Sequence, residues 1–205
     1  MKTVYVAASL ALLVGVNRAA ANPIPACEWE NGETVLGFYG SGLAAANEPA
    51  PEPFPYSPNS LELQFVTPGV PLPAAHIAYA WYLDDIDQVL VSFFYYVLNP
   101  GVSQWRLQGR WNDGLPGDPQ GDDGDAGGVL LQPVSGWNYV QHTFIGTNEH
   151  TGLVVTITPT LQEQDTIWID LMVVSGVGSF ITETPCYQWV PTENQTFGDV
   201  KALFH

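Results

Sequence analysis

The residues best suited to recognition lie in the segment 103–111, SQWRLQGRW. Gln104, Arg106, Gln108 and Arg110 alternate with Trp105, Leu107 and Trp111. On an extended strand this spacing sends the Arg and Gln side chains to one face and the large apolar ones to the other. Guanidinium and amide groups offer fixed donors for hydroxyls and carboxylates. Tyr96, Tyr82 and His142 belong to nearby segments of the same character and could flank the row, and a tyrosine ring there would stack on the C–H face of a sugar. The plainer alternative is a solvated outer face whose arginines pair with surplus carboxylates.

Carboxylates are plentiful. The chain has 21 Asp and Glu against five Lys and Arg, a net charge of −16. Such a balance repels phosphate backbones and excludes a nucleic-acid binder. The segment Asp113–Asp125 sets five carboxylates among glycines, but it lacks the spacing of an EF-hand loop, so a solvated acidic loop competes with a calcium loop. Catalysis has little support. There is no G-x-S-x-G elbow, H-E-x-x-H helix or P-loop, and His76, His142, His150 and His205 are scattered. A polysaccharide hydrolase built on two facing carboxylates is the only enzyme left open.

The elements that hold these residues are strands. Only 13% of the residues are charged, 46% are hydrophobic, and 20 Gly and 17 Pro punctuate the chain, which excludes a disordered chain and a coiled coil. Leu61, Leu63 and Phe65 alternate with Glu62 and Gln64. Residues 76–83 read as a strand with Ile77, Tyr79, Trp81 and Leu83 on one face, and 88–98 as a central strand apolar on both faces. Further strands are expected at 27–38, with a turn at Asn31-Gly32, and at 137–145, 152–158 and 166–174, with long loops at 44–59 and 112–128. Trp29, Trp105, Trp111 and Trp168 are assigned to the core. Eight or so short strands with Gly/Pro turns predict an all-β fold, an antiparallel two-sheet β-sandwich or barrel.

The first 21 residues read as an export signal: Met1-Lys2, an apolar run over 4–16, then Ala19-Ala20-Ala21. Removal leaves Arg106, Arg110 and Lys201 as the fixed positive charges and no membrane span. The domain is then 22–186, with an extension at 187–205. Export to an oxidising compartment lets Cys27 pair with Cys186, the alternative being two separate buried thiols. Asn194-Gln195-Thr196 is a glycosylation acceptor.

Several segments together resemble carbohydrate-binding modules of the family 4/9/22 jelly-roll type. These are Trp29-Glu30-Asn31-Gly32, Asn59-Ser60-Leu61-Glu62-Leu63, Val89-Leu90-Val91-Ser92-Phe93-Phe94, Gly136 to Phe144, and Ile167-Trp168-Ile169-Asp170-Leu171-Met172-Val173. The resemblance covers roughly 27–175 and implies a jelly roll that binds glycan. It further implies a structural Ca²⁺ clamped by Glu30 and Asp170, with no organic cofactor. Leu171 departs from the pattern, where the second acid of the closing motif belongs. A secreted or cell-surface protein binding polysaccharide or mediating adhesion is the first expectation. The alternative is a structural subunit of a matrix, surface layer or filament, built from copies of itself by strand addition through the Pro-rich arm or the tail.

Overall fold

In the computed structural model the described residues are 26–52, 54, 58–66, 72–82, 88–100, 104–112, 124–146, 150–160, 165–176 and 180–186. The expected export segment, most of the Asp/Gly loop, residues 83–87, the expected extension 187–205 and Asn194 within it lie outside them. Among the described residues eleven strands form: β1 (Gly37–Tyr39), β2 (Leu43–Glu48), β3 (Ser60–Phe65), β4 (Ala74–Tyr82), β5 (Gln88–Val97), β6 (Trp105–Trp111), β7 (Gly124–Leu131), β8 (Asn138–Ile145), β9 (Gly152–Pro159), β10 (Asp165–Gly176) and β11 (Phe180–Glu183). They pair antiparallel in two sheets. One has the order β1-β4-β9-β6-β7, with β11 sharing the β4 edge with β1; the other has the order β2-β3-β10-β5-β8.

Strand alternation builds the core. Leu61, Leu63 and Phe65, Val89 to Val97 at every second residue, Ile167 and Ile169 face Trp105, Leu107, Trp111, Leu153, Val155 and Ile157, all buried. Each such side chain contributes about 1.5–3 kcal/mol on leaving water. Gly109 lies on the inward row of β6, where an added Cβ would come within 2.6 Å of the Phe144 ring. The two sheets close on each other there, and only glycine fits.

Three register shifts interrupt the described ladders; one lies in β7 opposite Gly109–Arg110, and the other two, in β4 and β10, redirect side chains between the core and the outer faces. In β4 the register against β9 shifts between His76 and Ala78. Ile77, Ala78 and Ala80 therefore enter the core, whereas Tyr79 and Trp81 pack with Val154 and Leu36 in a separate cluster. The single face expected for Ile77, Tyr79 and Trp81 is thus split. In β10 one extra residue lies between Asp170 and Val173. Leu171 takes a positive φ of 48°, and Met172 and Val174 return to the core.

Three further expectations are corrected. Residues 27–38 turn at Asn31-Gly32 as expected, but the segment before the turn is no regular strand: Cys27 forms an isolated bridge to Met172, and only Gly37 and Phe38 of this range enter β1. The expected loop 44–59 contains most of β2, because Ala44 to Glu48 pair with β3. The loop 112–128 ends in β7, whose glycines permit close pairing with β6. A disulfide joins Cys27 to Cys186, with Cα atoms 5.1 Å apart. It ties the start of the domain to the residues after β11.

Candidate functional site

The expected recognition row is present on β6, which lies between β9 and β7. Arg106 is opposite Thr158 and Leu130, Gln108 opposite Thr156 and Gly128, and Arg110 opposite Val154 and Asp125. Two of its amides are used internally. Thr160 Oγ1 donates to Gln104 Oε1 at 3.2 Å, and Gln108 Nε2 donates to Asp125 Oδ1 at 3.3 Å.

The residues expected to flank this row are not brought to it as a group. Tyr96 is on β5, in the other sheet. His142 is also in that sheet, on β8 opposite Val91, with its ring 4.6 Å from that of Phe144. Burial and, next, the charge of Arg106 hold its pKa below the usual imidazole value. Tyr82 ends β4, in the sheet of β6, and its side chain lies outside the described part. Alternation shows which residues of one strand share a face, but it does not show which strands share a sheet.

A denser cluster lies on the outer face of the five-stranded sheet. On β5 the residues between the core positions are Leu90, Ser92, Phe94 and Tyr96. Register places Phe94 opposite Tyr139 on one side and Asp170 on the other, and Tyr96 opposite Trp168. Ring centroids are 5.1 Å apart for Phe94–Tyr139, 5.9 Å for Tyr96–Trp168 and 5.9 Å for Tyr96–Trp137. These separations are those of favourable aromatic pairs. Tyr139 remains 53% exposed.

The Pro-rich arm between β2 and β3 reaches this face. Phe54 contacts Phe94 at 5.0 Å and Trp137 at 4.8 Å, and Trp137 Nε1 donates to the Glu52 carbonyl at 2.7 Å. The aromatic row therefore has a wall along one side. Trp168 is buried, as expected, but it belongs to this face and not to the inter-sheet core. Its indole N–H has no partner among the described residues. Both described cations, Arg106 and Arg110, sit in the other sheet, whereas Glu48, Glu62 and Gln64 occupy the outward positions of β2 and β3. An apolar row bordered by hydroxyls, amides and carboxylates, with no nearby cation, suits uncharged polyols.

Glu30 is exposed in the turn after Cys27. Asp170 is fully buried and accepts from Ser60 Oγ at 3.0 Å and from the Leu171 amide at 2.6 Å. The bridge of Cys27 to Met172 brings the two segments together at the β10 bulge. Among the described residues no three His, Cys, Asp or Glu side chains gather as a metal cluster. Ca²⁺ takes six to eight oxygens, so the remainder would come from backbone carbonyls or water. Of the Asp/Gly loop only Asp125 is described together with Gly124; Asp125 accepts from the Gly127 amide at 2.8 Å.

No protein-family model matches the sequence, and no curated protein sequence is similar to it. Solved structures are similar in fold. The CBM22-1 xylan-binding domain of Paenibacillus barcinonensis Xyn10C superposes with a TM-score of 0.52 at 15% identity, over 80% of this chain and 99% of that one. The tandem CBM22-1–CBM22-2 structure of the same protein gives 0.53 at 13% identity, over 90% of this chain and 50% of that one. The K3 adhesin domain of Lys-gingipain from Porphyromonas gingivalis gives 0.50 at 11% identity, over 75% and 98%. With two antiparallel sheets in this order and these likenesses, the chain is an all-β jelly roll of the kind found in carbohydrate-binding modules.

Proposed function

We propose that this protein is a secreted, non-catalytic module that binds extracellular polysaccharide through the outer face of its five-stranded sheet. The observation that carries this reading is the connected row of Tyr139, Phe94, Phe54, Trp137, Tyr96 and Trp168 on that face. Tyr139, Phe94, Trp137 and Tyr96 keep exposed surface that pairs with the apolar C–H faces of sugar rings, the buried Phe54 and Trp168 hold those rings in place, and the Ser, Thr, Gln and Glu side chains between and beside them exchange hydrogen bonds with hydroxyls. The fold likeness to binding modules supports it.

This reading moves the glycan face from the Arg/Gln row of β6 to the opposite side of the sandwich. Affinity electrophoresis through neutral polysaccharides tests it. Migration should be retarded for the native protein and restored to the no-glycan rate by Tyr96→Ala. A structural Ca²⁺ between Glu30 and Asp170 forms part of the proposal, with the buried Asp170 carboxylate as its support.

A second reading, self-assembly through strand edges, is favoured by one observation: β1, at a sheet edge, exposes Phe38 and Tyr39 at 44% and 54%. Sedimentation velocity at rising concentration separates the two. A constant monomer supports the binding module, and growing oligomers support assembly.

A further inference from the structure

Beyond the aromatic row, at the end of β5, the same sheet carries a cavity of about 260 Å³. Gln64, Leu98 and Thr166 line it from three neighbouring strand ends, and Val66, Asn99 and Asp165 complete the wall. Register places Thr166 opposite Gln64, and Trp168 two residues further on, between Glu62 and Tyr96. Two residues along one strand are about 7 Å, so the cavity adjoins the Tyr96–Trp168 end of the row on one continuous face.

The lining has the chemistry of a polyol site. Gln64 and Asn99 bring amide donors and acceptors, Thr166 a hydroxyl and Asp165 two acceptor oxygens. Asp165 is fixed in place: its Oδ2 accepts from Trp105 Nε1 at 3.0 Å and its Oδ1 from Asn99 Nδ2 at 3.3 Å. Val66 and Leu98 are 41% and 43% exposed and offer apolar surface to a ring face. The volume lies just below the ~300–1,000 Å³ of drug-sized sites, so it suits one sugar ring and not an oligomer.

We propose that this cavity is a subsite for one further pyranose unit of an uncharged glycan that runs across Tyr96, and that Asp165 excludes uronic acids from it. The proposal rests on the aromatic face being the glycan face. A carboxylate on the sugar would meet the Asp165 carboxylate, and among the described residues both arginines lie on β6 in the other sheet, away from this face.

Isothermal titration calorimetry tests this. The probes are neutral gluco-, xylo- and manno-oligosaccharides of two to six units and oligouronates of the same lengths. The native protein should bind neutral oligomers and reject the uronates. Gln64→Ala with Asn99→Ala should weaken the longer neutral oligomers about tenfold, the loss of one or two hydrogen bonds, and abolish the gain from the last added unit. Both residues are exposed, so the melting temperature should hold. Asp165→Asn keeps an acceptor for Trp105 and should narrow the discrimination against uronates. The subsite is overturned if the double variant binds every oligomer like the native protein while Tyr96→Ala abolishes binding. If Tyr96→Ala also leaves binding unchanged, or the native protein binds no neutral oligomer, the face reading falls and the subsite with it.

Discussion

Phe54 rests on Trp137 with ring centroids 4.8 Å apart, joining the Pro-rich arm to the residue that precedes β8. The two are 83 positions apart in sequence, and they meet on the outer face of one sheet. The contact makes the arm part of the aromatic face and not a free loop. Phe54 is only 6% exposed.

Replacing Phe54 with Ala should therefore cost on the order of 3 kcal/mol, the size seen when a packed aromatic ring is truncated. Chemical denaturation followed by tryptophan fluorescence measures it. Trp137 should also become more exposed, with a red-shifted emission. An unchanged midpoint would mean that the arm does not hold to this face.

Stability should fall as the pH drops from about 6.5 towards about 4. Burial pushes the pKa of His76 down to about 4, from an ordinary value of 6.5. In that window the unfolded ring takes up a proton that the folded ring refuses, so acid favours unfolding. The ring Nδ1 shares a hydrogen bond with Tyr79 Oη at 3.1 Å; burial and the Glu183 carboxylate push the tyrosine pKa to about 12, so its proton stays on. Glu183 acts in the opposite sense. Burial raises its pKa, so the folded protein takes up that proton first and gains relative stability as the pH falls through it. His76→Gln, which keeps an acceptor for Tyr79, should flatten the acid slope of a melting-temperature profile. A variant with the native slope would place the acid sensitivity elsewhere.

Reducing the Cys27–Cys186 bond should lower stability by about 5 kcal/mol, since it closes nearly the whole domain and constrains the unfolded chain strongly. Melting curves with and without a reductant, compared with a Cys27→Ser, Cys186→Ser variant, measure this. A midpoint indifferent to reductant would show that the bond adds nothing.

Adding Ca²⁺ should raise the melting temperature of chelator-treated protein, and Asp170→Asn should remove that response. Asp170 already accepts two hydrogen bonds within the protein, so the variant also controls for structure alone. Identical curves in calcium and in chelator would leave Asp170 with its contacts inside the protein and no calcium role.

Much of the sandwich was legible in the sequence, because alternation writes the inward side chains directly. Leu61, Leu63 and Phe65, and Trp105, Leu107 and Trp111, are buried as their spacing predicts. Short strands were less legible. β2 is rich in alanine, and β7 is rich in glycine beside an acidic loop, so neither has an apolar rhythm. The bulges at His76–Ala78 and Asp170–Val173 were not visible either, since a one-residue insertion leaves no mark in composition.

The aromatic face was missed for a related reason. Residues 88–98 are apolar at both parities, which reads as a strand covered on both sides. β5 is indeed covered on its outer side, in part by Phe54 from the arm. The signal was Phe94 and Tyr96 alternating with Phe93 and Tyr95, followed downstream by Trp137 and Tyr139 at the same two-residue spacing. Joining them required the β5–β8 register, a long-range pairing that no local pattern encodes.

The most direct test sets the two faces of the sandwich against each other. Affinity for a neutral polysaccharide should be measured for the native protein, for Tyr96→Ala with Trp137→Ala, and for Arg106→Ala with Arg110→Ala. The account predicts that the aromatic pair of substitutions abolishes binding and the arginine pair leaves it within about twofold, since surface changes away from a site act weakly. Loss of binding in the arginine pair, with the aromatic pair intact in affinity, would contradict it.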